Sequence, residues 1–298
     1  MGTPSMGHAT RIGSSASGAA TREYDFLTCQ IGKTKELIVS DGVRGTRSYL
    51  DQQAVFGPYV VGGVVTMDVR PDDLDTLLPL ILGGTETAGS FPLAETLPES
   101  DWTVDKEVKV YTYADMKVNT ANFSGNSGQK LQLALDLQGK TETEGNAGTF
   151  PAISGTLSVK RPYIFHQGTL TLDSVAREFN QFNLLIDNAL LLDRTMNSAT
   201  RTQIPEGNRR IILTVQSPFT SDEIALYDLA IAGITGTLVF TDGTDTLTFT
   251  FANLKKPTRP VGIAGKTQEI MQPLELQAFA TQSGATITRE LVVTSTNN

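Results

Sequence analysis

The sequence predicts a mainly β protein (all-β or α+β) built from two tandem sandwich or half-barrel units, each with one short flanking helix. Three observations point there. A long motif occurs twice, short alternating runs bounded by Gly, Pro and Asp recur along the chain, and only two stretches carry helical spacing. The motif reads aromatic, Ala, Asp or Asn, aliphatic, Lys, then a Gly-punctuated turn and an alternating strand. Its first copy is Tyr113-Ala114-Asp115-Met116-Lys117, leading past Gly125 and Gly128 to Leu131–Leu137. Its second is Phe251-Ala252-Asn253-Leu254-Lys255, leading past Gly262 and Gly265 to Met271–Gln277. Tyr113 and Phe251 are 138 residues apart, whereas Leu133 and Leu274 are 141 apart, so three residues are inserted between them.

In chain order, residues 1–22 are rich in Gly, Ser, Ala and Thr and offer little to pack, so a flexible arm is expected. Phe26–Ile31 and Glu36–Ser40 read as strands, and 42–57 as a long loop. Tyr59–Val69 alternates, with Val65, Met67 and Val69 on one face. Pro71-Asp72-Asp73 then opens a helix through Leu74, Leu77, Leu78 and Ile81, which Gly83-Gly84 stops. After a Pro- and Thr-rich connection (85–101), strands are expected at 107–113 and 131–138. The polar stretch 141–150 marks a boundary, giving domains 23–150 and 151–298.

The second unit repeats the order. Strands are expected at 154–160, 164–173, 179–187 and 210–216, with a loop at 190–208. Ser221-Asp222-Glu223 starts a second short helix that ends before Gly233. Strands at 238–240 and 246–251 flank an Asp242-Gly243 hairpin turn, and 287–293 closes the chain as a strand.

Composition bounds the function. The chain has 298 residues, 39% hydrophobic and 19% charged, and a formal net charge of −8. Such an acidic chain is poorly suited to gripping phosphates, though not to letting nucleic acid slide past. No apolar run approaches the ~18 residues that span a bilayer, and the first twenty residues lack the apolar core of a secretory signal, so synthesis in the cytosol is expected. The single cysteine, Cys29, excludes an internal disulfide and reads as a structural thiol.

Three Gly-Lys-Thr triplets, at Gly32, Gly139 and Gly265, lack the glycine five positions earlier that a phosphate-binding loop needs; Leu27, Ala134 and Pro260 stand there. His8 and His166 lie far apart, Asp242 and Asp245 lack the alternating acids of a calcium loop, and Ser124-Gly125-Asn126 is not a nucleophile elbow. No catalytic, cofactor-binding or metal site is expected, and hence no enzyme.

The order of motifs through both halves resembles the tail tube proteins of long-tailed bacteriophages. The likeness is carried by Arg70-Pro71-Asp72-Asp73-Leu74, Leu77–Gly84, Tyr113–Asn119 and Gly128–Leu131, then by Arg209–Thr214, Ser221–Leu229, Gly236–Phe251, Gly262–Gly265 and Glu269–Leu274. The resemblance implies β-sandwich tube domains joined edge to edge into rings. Two domains per chain imply trimers with pseudo-sixfold symmetry, stacked around a lumen that passes the tape-measure protein and then viral DNA. Tail terminator and tail-tip or baseplate proteins are the further partners implied, no membrane is, and the location implied is the virion tail, assembled in the host cytoplasm.

Residues opposite the leucine faces become lumen candidates: Asp68, Arg70, Gln132, Asp136, Gln138, Glu275 and Gln277. The long loops supply inter-ring candidates: Gly45, Arg47, Tyr49, Asp51, Arg194, Asn197 and Arg201. Two other readings stand beside this one. A contractile-tail inner tube or secretion-type tube would usually have a single domain. A carbohydrate-binding sandwich would want an aromatic platform, for which Trp102 is the lone tryptophan.

Overall fold

The computed structural model describes residues 5–153, 157–220, 232–256 and 269–297. The chain is mainly β, and the strands are antiparallel. The first half supplies β1 (Arg11–Ser15), β2 (Arg22–Tyr24), β3 (Thr28–Cys29), β4 (Gly32–Val39), β5 (Ala54–Asp68), helix α1 (Pro71–Leu82), β6 (Ser90–Pro92), β7 (Ser100–Asp105), β8 (Lys109–Asn126), β9 (Gln132–Gly139) and β10 (Thr141–Asn146). The second supplies β11 (Gly168–Leu172), β12 (Val175–Arg177), β13 (Gln181–Asp187), β14 (Arg210–Pro218), β15 (Ile234–Thr241), β16 (Thr246–Lys255), β17 (Met271–Ala278), a small β18–β19 hairpin (Thr281–Ser283, Thr286–Thr288) and β20 (Leu291–Thr296).

Among the described residues, and apart from the separate β18–β19 hairpin, the strands fall into three sheets, because two strands change sheet midway. One runs β2-β1-β7-β8-β10 and uses the first part of β8. Another runs β12-β11-β15-β16-β20-β6. The third is shared by both halves: β4 and β3 lie on β5, followed by β9, the second part of β8, β13, β14 and β17.

The twice-used motif marks the strands that switch. In β8 the switch falls at Asp115, whose φ of 55° is left-handed, a conformation that Asp tolerates better than most residues. Asp101 Oδ1 accepts the Asp115 N–H at 3.0 Å, and the β7–β8 register shifts there. In β16, Thr246–Phe251 pairs with β20, while Leu254 and Lys255 cross to pair with β17. The motif's aromatic (Tyr113, Phe251) and aliphatic (Met116, Leu254) positions are fully buried in both copies. An aromatic and an aliphatic anchor thus bracket a bend, which is why the spacing recurs.

The core is continuous across the halves. Phe123 meets Phe249 edge-on at 5.1 Å, and Phe182 meets Phe240 at 5.2 Å, joining the shared sheet to the second-half sheet. The helix follows its sequence signals: Pro71 leads, Leu74, Leu77, Leu78 and Ile81 are buried, and Gly83 ends it at φ 84°. A Cβ at Gly83 would come within 2.4 Å of the Thr96 carbonyl oxygen, so glycine is required there twice over.

Several expectations need correction. The stretch 1–22 is not an unpacked arm throughout, because β1 pairs with β2 and β7 and buries Ile12. Its small residues serve close approach rather than flexibility: a Cβ on Gly13 would lie 2.6 Å from the Arg22 carbonyl oxygen. The end of the 42–57 stretch belongs to a long β4–β5 hairpin. The polar 141–146 run forms β10, an edge strand in which no residue is buried and which therefore needs no apolar alternation. Residues 157–160 of the strand expected at 154–160 are not in a strand. The second helix, the Gly262–Gly265 turn and the third Gly-Lys-Thr triplet lie outside the described residues, apart from Ala232 just before Gly233.

Candidate functional site

The shared sheet has one apolar and one polar face, and its register sets out both. Met67, Leu133, Phe123, Leu184, Leu213 and Leu276 align across six strands and are all buried. Their immediate neighbours form polar rows. One row runs Asp68, Gln132, Ser124, Asn183, Thr214, Glu275, and the next runs Thr66, Ala134, Asn122, Leu185, Ile212, Gln277. A third runs Val64, Asp136, Thr120, Asp187, Arg210, and a fourth Asn126, Gln181, Gln216, Pro273. Every residue in these rows is exposed or half-buried, as period-two alternation requires of a sheet packed on one side only.

Amides and hydroxyls dominate this face, with acids in the minority and Arg210, opposite Asp187, the cation within the rows. Asp68 is bridged by Lys130 at 2.9 Å, and Asp136 accepts from Asn119 at 2.7 Å and Gln138 at 2.9 Å. The arrangement can hydrogen-bond a passing polar polymer but offers little charge to hold a phosphate chain.

Of the lumen candidates, Asp68, Gln132, Asp136, Gln138, Glu275 and Gln277 share this face, with Gln138 opposite Gly62 and Lys117. Arg70 lies past the end of β5. Its guanidinium bonds Asp25 at 2.9 Å and the Lys160 carbonyl at 2.9 Å. Sequence reasoning missed Asn122, Ser124, Asn183 and Gln216, because reading β8, β13 and β14 as part of one face requires their pairing partners.

The halves meet where β8 pairs with β13 from Asn126↔Gln181 to Thr120↔Asp187. The 188–209 connection then reaches back over the first half. Asn188 donates to the Ile81 and Val118 carbonyls at 3.2 and 3.1 Å. Arg201 is 6% exposed and donates to the Val61 carbonyl, Gln138 Oε1 and the Gly139 carbonyl. Lys117 Nζ bridges Glu206 at 2.8 Å and the Ile204 carbonyl at 3.0 Å. Burial alone would raise the Glu206 carboxyl, but bonds from Lys117 and the Leu97 N–H hold it below its ordinary value. A small apolar cluster of Leu97, Leu190 and Ile204 completes the joint.

The inter-ring candidates divide accordingly. Gly45, Arg47, Tyr49 and Asp51 are exposed around the β4–β5 hairpin tip; Asn197 is exposed and Arg194 half-buried in the second loop. Arg201 is committed within the chain, because its guanidinium caps carbonyls that the end of the β5–β9 pairing leaves open. The hairpin is apolar on both faces: Leu37, Ile38, Val55 and Phe56 are each more than half exposed.

Comparison with curated proteins finds no match. The sequence model of a family described as phage tail tube protein matches residues 3–278, nearly the whole chain. A mainly β protein, with the motif series in order through both halves, fits that match. The chain belongs to the phage tail tube protein family and is a structural protein of the virion tail.

Proposed function

We propose that this protein is the major tail tube subunit, forming stacked trimeric rings with pseudo-sixfold symmetry, and that the polar face of the shared sheet lines the lumen. One observation carries the reading: strands from both halves form a single sheet whose polar face is unbroken across the β8–β13 joint. Two tube domains, 23–150 and 151–298, are each read as one sixth of a ring. Rings of this kind give the end strands of the shared sheet partners, which reduces the hazard of open edges.

On this reading Asp68, Gln132, Asp136, Gln138, Glu275 and Gln277 face the lumen with the amides of β8 and β13. The tape-measure protein occupies it during assembly in the host cytoplasm, and DNA passes through on ejection. An acid excess without a basic track lets the duplex slide rather than stick. Residues at the hairpin tip and in the 190–208 loop contact the next ring, and the ends of the tube meet the terminator and tail-tip proteins. No chemical step is required of any residue, so the role is structural rather than enzymatic.

Negative-stain electron microscopy of the purified protein tests this. Stacked rings with a central pore, showing three strong and three weaker lobes in axial view, are the expected result. Discrete particles lacking a pore would overturn it.

A further inference from the structure

The tip of the β4–β5 hairpin is tied together by one side chain. Gln53 is buried, its amide donates to the Ser40 and Gly42 carbonyls at 3.3 and 3.0 Å, and its Oε1 accepts the Leu50 N–H at 2.8 Å. Below this tip the ladder is interrupted. The register shifts between Lys35 and Leu37, and Pro58 on the facing strand has no N–H to offer. A bulge bends a ribbon locally, and two strands alone have little with which to hold the bend.

Directly beneath the bulge the second half takes hold. β9 pairs with β5 only as far as Val61↔Gly139. Past that end Ala199, from the 188–209 connection, accepts the Tyr59 N–H at 2.9 Å, in the place a further β9 residue would take. Two residues on, Arg201 donates to the Val61 and Gly139 carbonyls at 3.2 and 3.4 Å, and from Nε to the Leu192 carbonyl at 3.0 Å. The connection is also folded on itself, since the Leu191 N–H donates to the Pro205 carbonyl and the Thr202 N–H to the Arg194 carbonyl. A chain of side chains on the polar face joins its two ends. The Leu190 N–H donates to Asn119, Asn119 and Gln138 both donate to Asp136, and Gln138 Oε1 accepts from Arg201.

We propose that the 188–209 connection is a strap that fixes the base of the β4–β5 hairpin, with Arg201 as its positioning residue. The direction in which Leu37, Ile38, Val55 and Phe56 are presented is then set by the second half rather than by the ribbon that carries them. One planar guanidinium, pre-organised for a fixed set of acceptors, ties the strap to itself and to the ends of two strands. The strap works within a single chain and does not depend on ring formation.

Hydrogen exchange of the full-length protein, read by mass spectrometry on peptides that span 57–61, tests this, with assembly state matched by light scattering. In Arg201→Ala the Tyr59 amide should exchange about tenfold faster, as for the loss of one hydrogen bond. Gly83→Ala, which strains the end of the helix elsewhere in the fold, should leave that amide unchanged. If Arg201→Ala does not fold, Arg201→Lys, which keeps a donor but loses the fork, is read the same way. Unchanged exchange at Tyr59 on loss of the guanidinium overturns the proposal, as does equal acceleration in Gly83→Ala, which would make the effect global. Pore-containing rings enter neither outcome, so this proposal and the ring reading fail separately.

Discussion

Arg201 and Glu206 show how single side chains weld the two halves. Arg201 is a buried cation without a carboxylate partner among its hydrogen bonds, held by backbone and amide oxygens of the first half. Truncation to Ala leaves those acceptors unpaired, so R201A is expected to lose about 2–3 kcal/mol of unfolding free energy, read by urea denaturation. Glu206 makes the joint sensitive to acid. Its carboxyl is held below the ordinary value, so its contribution is complete above the unfolded-state pKa near 4.3 and fades as pH falls through the lower folded-state value. E206Q should therefore be less stable than the parent at neutral pH and converge with it in acid. Parallel melting curves for the two proteins across pH 3–7 (the span set by carboxylate titration) would contradict this.

Residue-scale features were unevenly legible. The buried leucines of 131–137 and the helix anchors at 74–81 were plain, because alternation and helical spacing are local patterns. Arg201 was not. It sits in an aperiodic loop, and its acceptors lie more than sixty residues away, at Gly139 and Val61.

Among elements, the β4–β5 hairpin is the one whose surface is out of keeping with a lone protein. A two-stranded ribbon is marginal by itself, yet this one exposes Phe56 at 68% and Val55 at 63%. Phe56→Asp is expected to change unfolding free energy by no more than about 0.5 kcal/mol, as exposed positions do, while abolishing assembly seen by electron microscopy or light scattering. A large stability loss would instead make the hairpin part of the fold. The helix offers a contrasting prediction. Gly83→Ala meets both a left-handed φ and the Thr96 carbonyl, so a loss above about 1 kcal/mol is expected, measured by thermal melting. The helix stop was readable from Gly83-Gly84, whereas the hairpin was not. Its second strand begins within the stretch 42–57 that reads as a loop, since residues exposed on both faces show no alternation.

For the molecule as a whole, the decisive property is the polar face that both halves build. Replacing Gln132 and Asn183 with Lys adds two cations on the row they share through Ser124. Tubes should still form, because neither side chain is in the core. DNA release from such tails should slow at low salt and recover as salt is raised, following counterion release and screening. Time-resolved DNA release at several salt concentrations measures this, and a rate indifferent to salt would argue against a lumenal position.

The class of fold, the alternating strands, the first helix and its ends, and the family likeness are all legible in the chain alone. All of these rest on patterns within a few residues or on their order. The tertiary structure alone decided that β8 and β16 change sheets at the Asp/Asn of the motif, that residues 11–15 are a strand, and that β8 and β13 fuse two halves into one face. Pairing between strands sixty residues apart leaves no periodic trace in either strand, because each satisfies its own alternation whichever neighbour it meets.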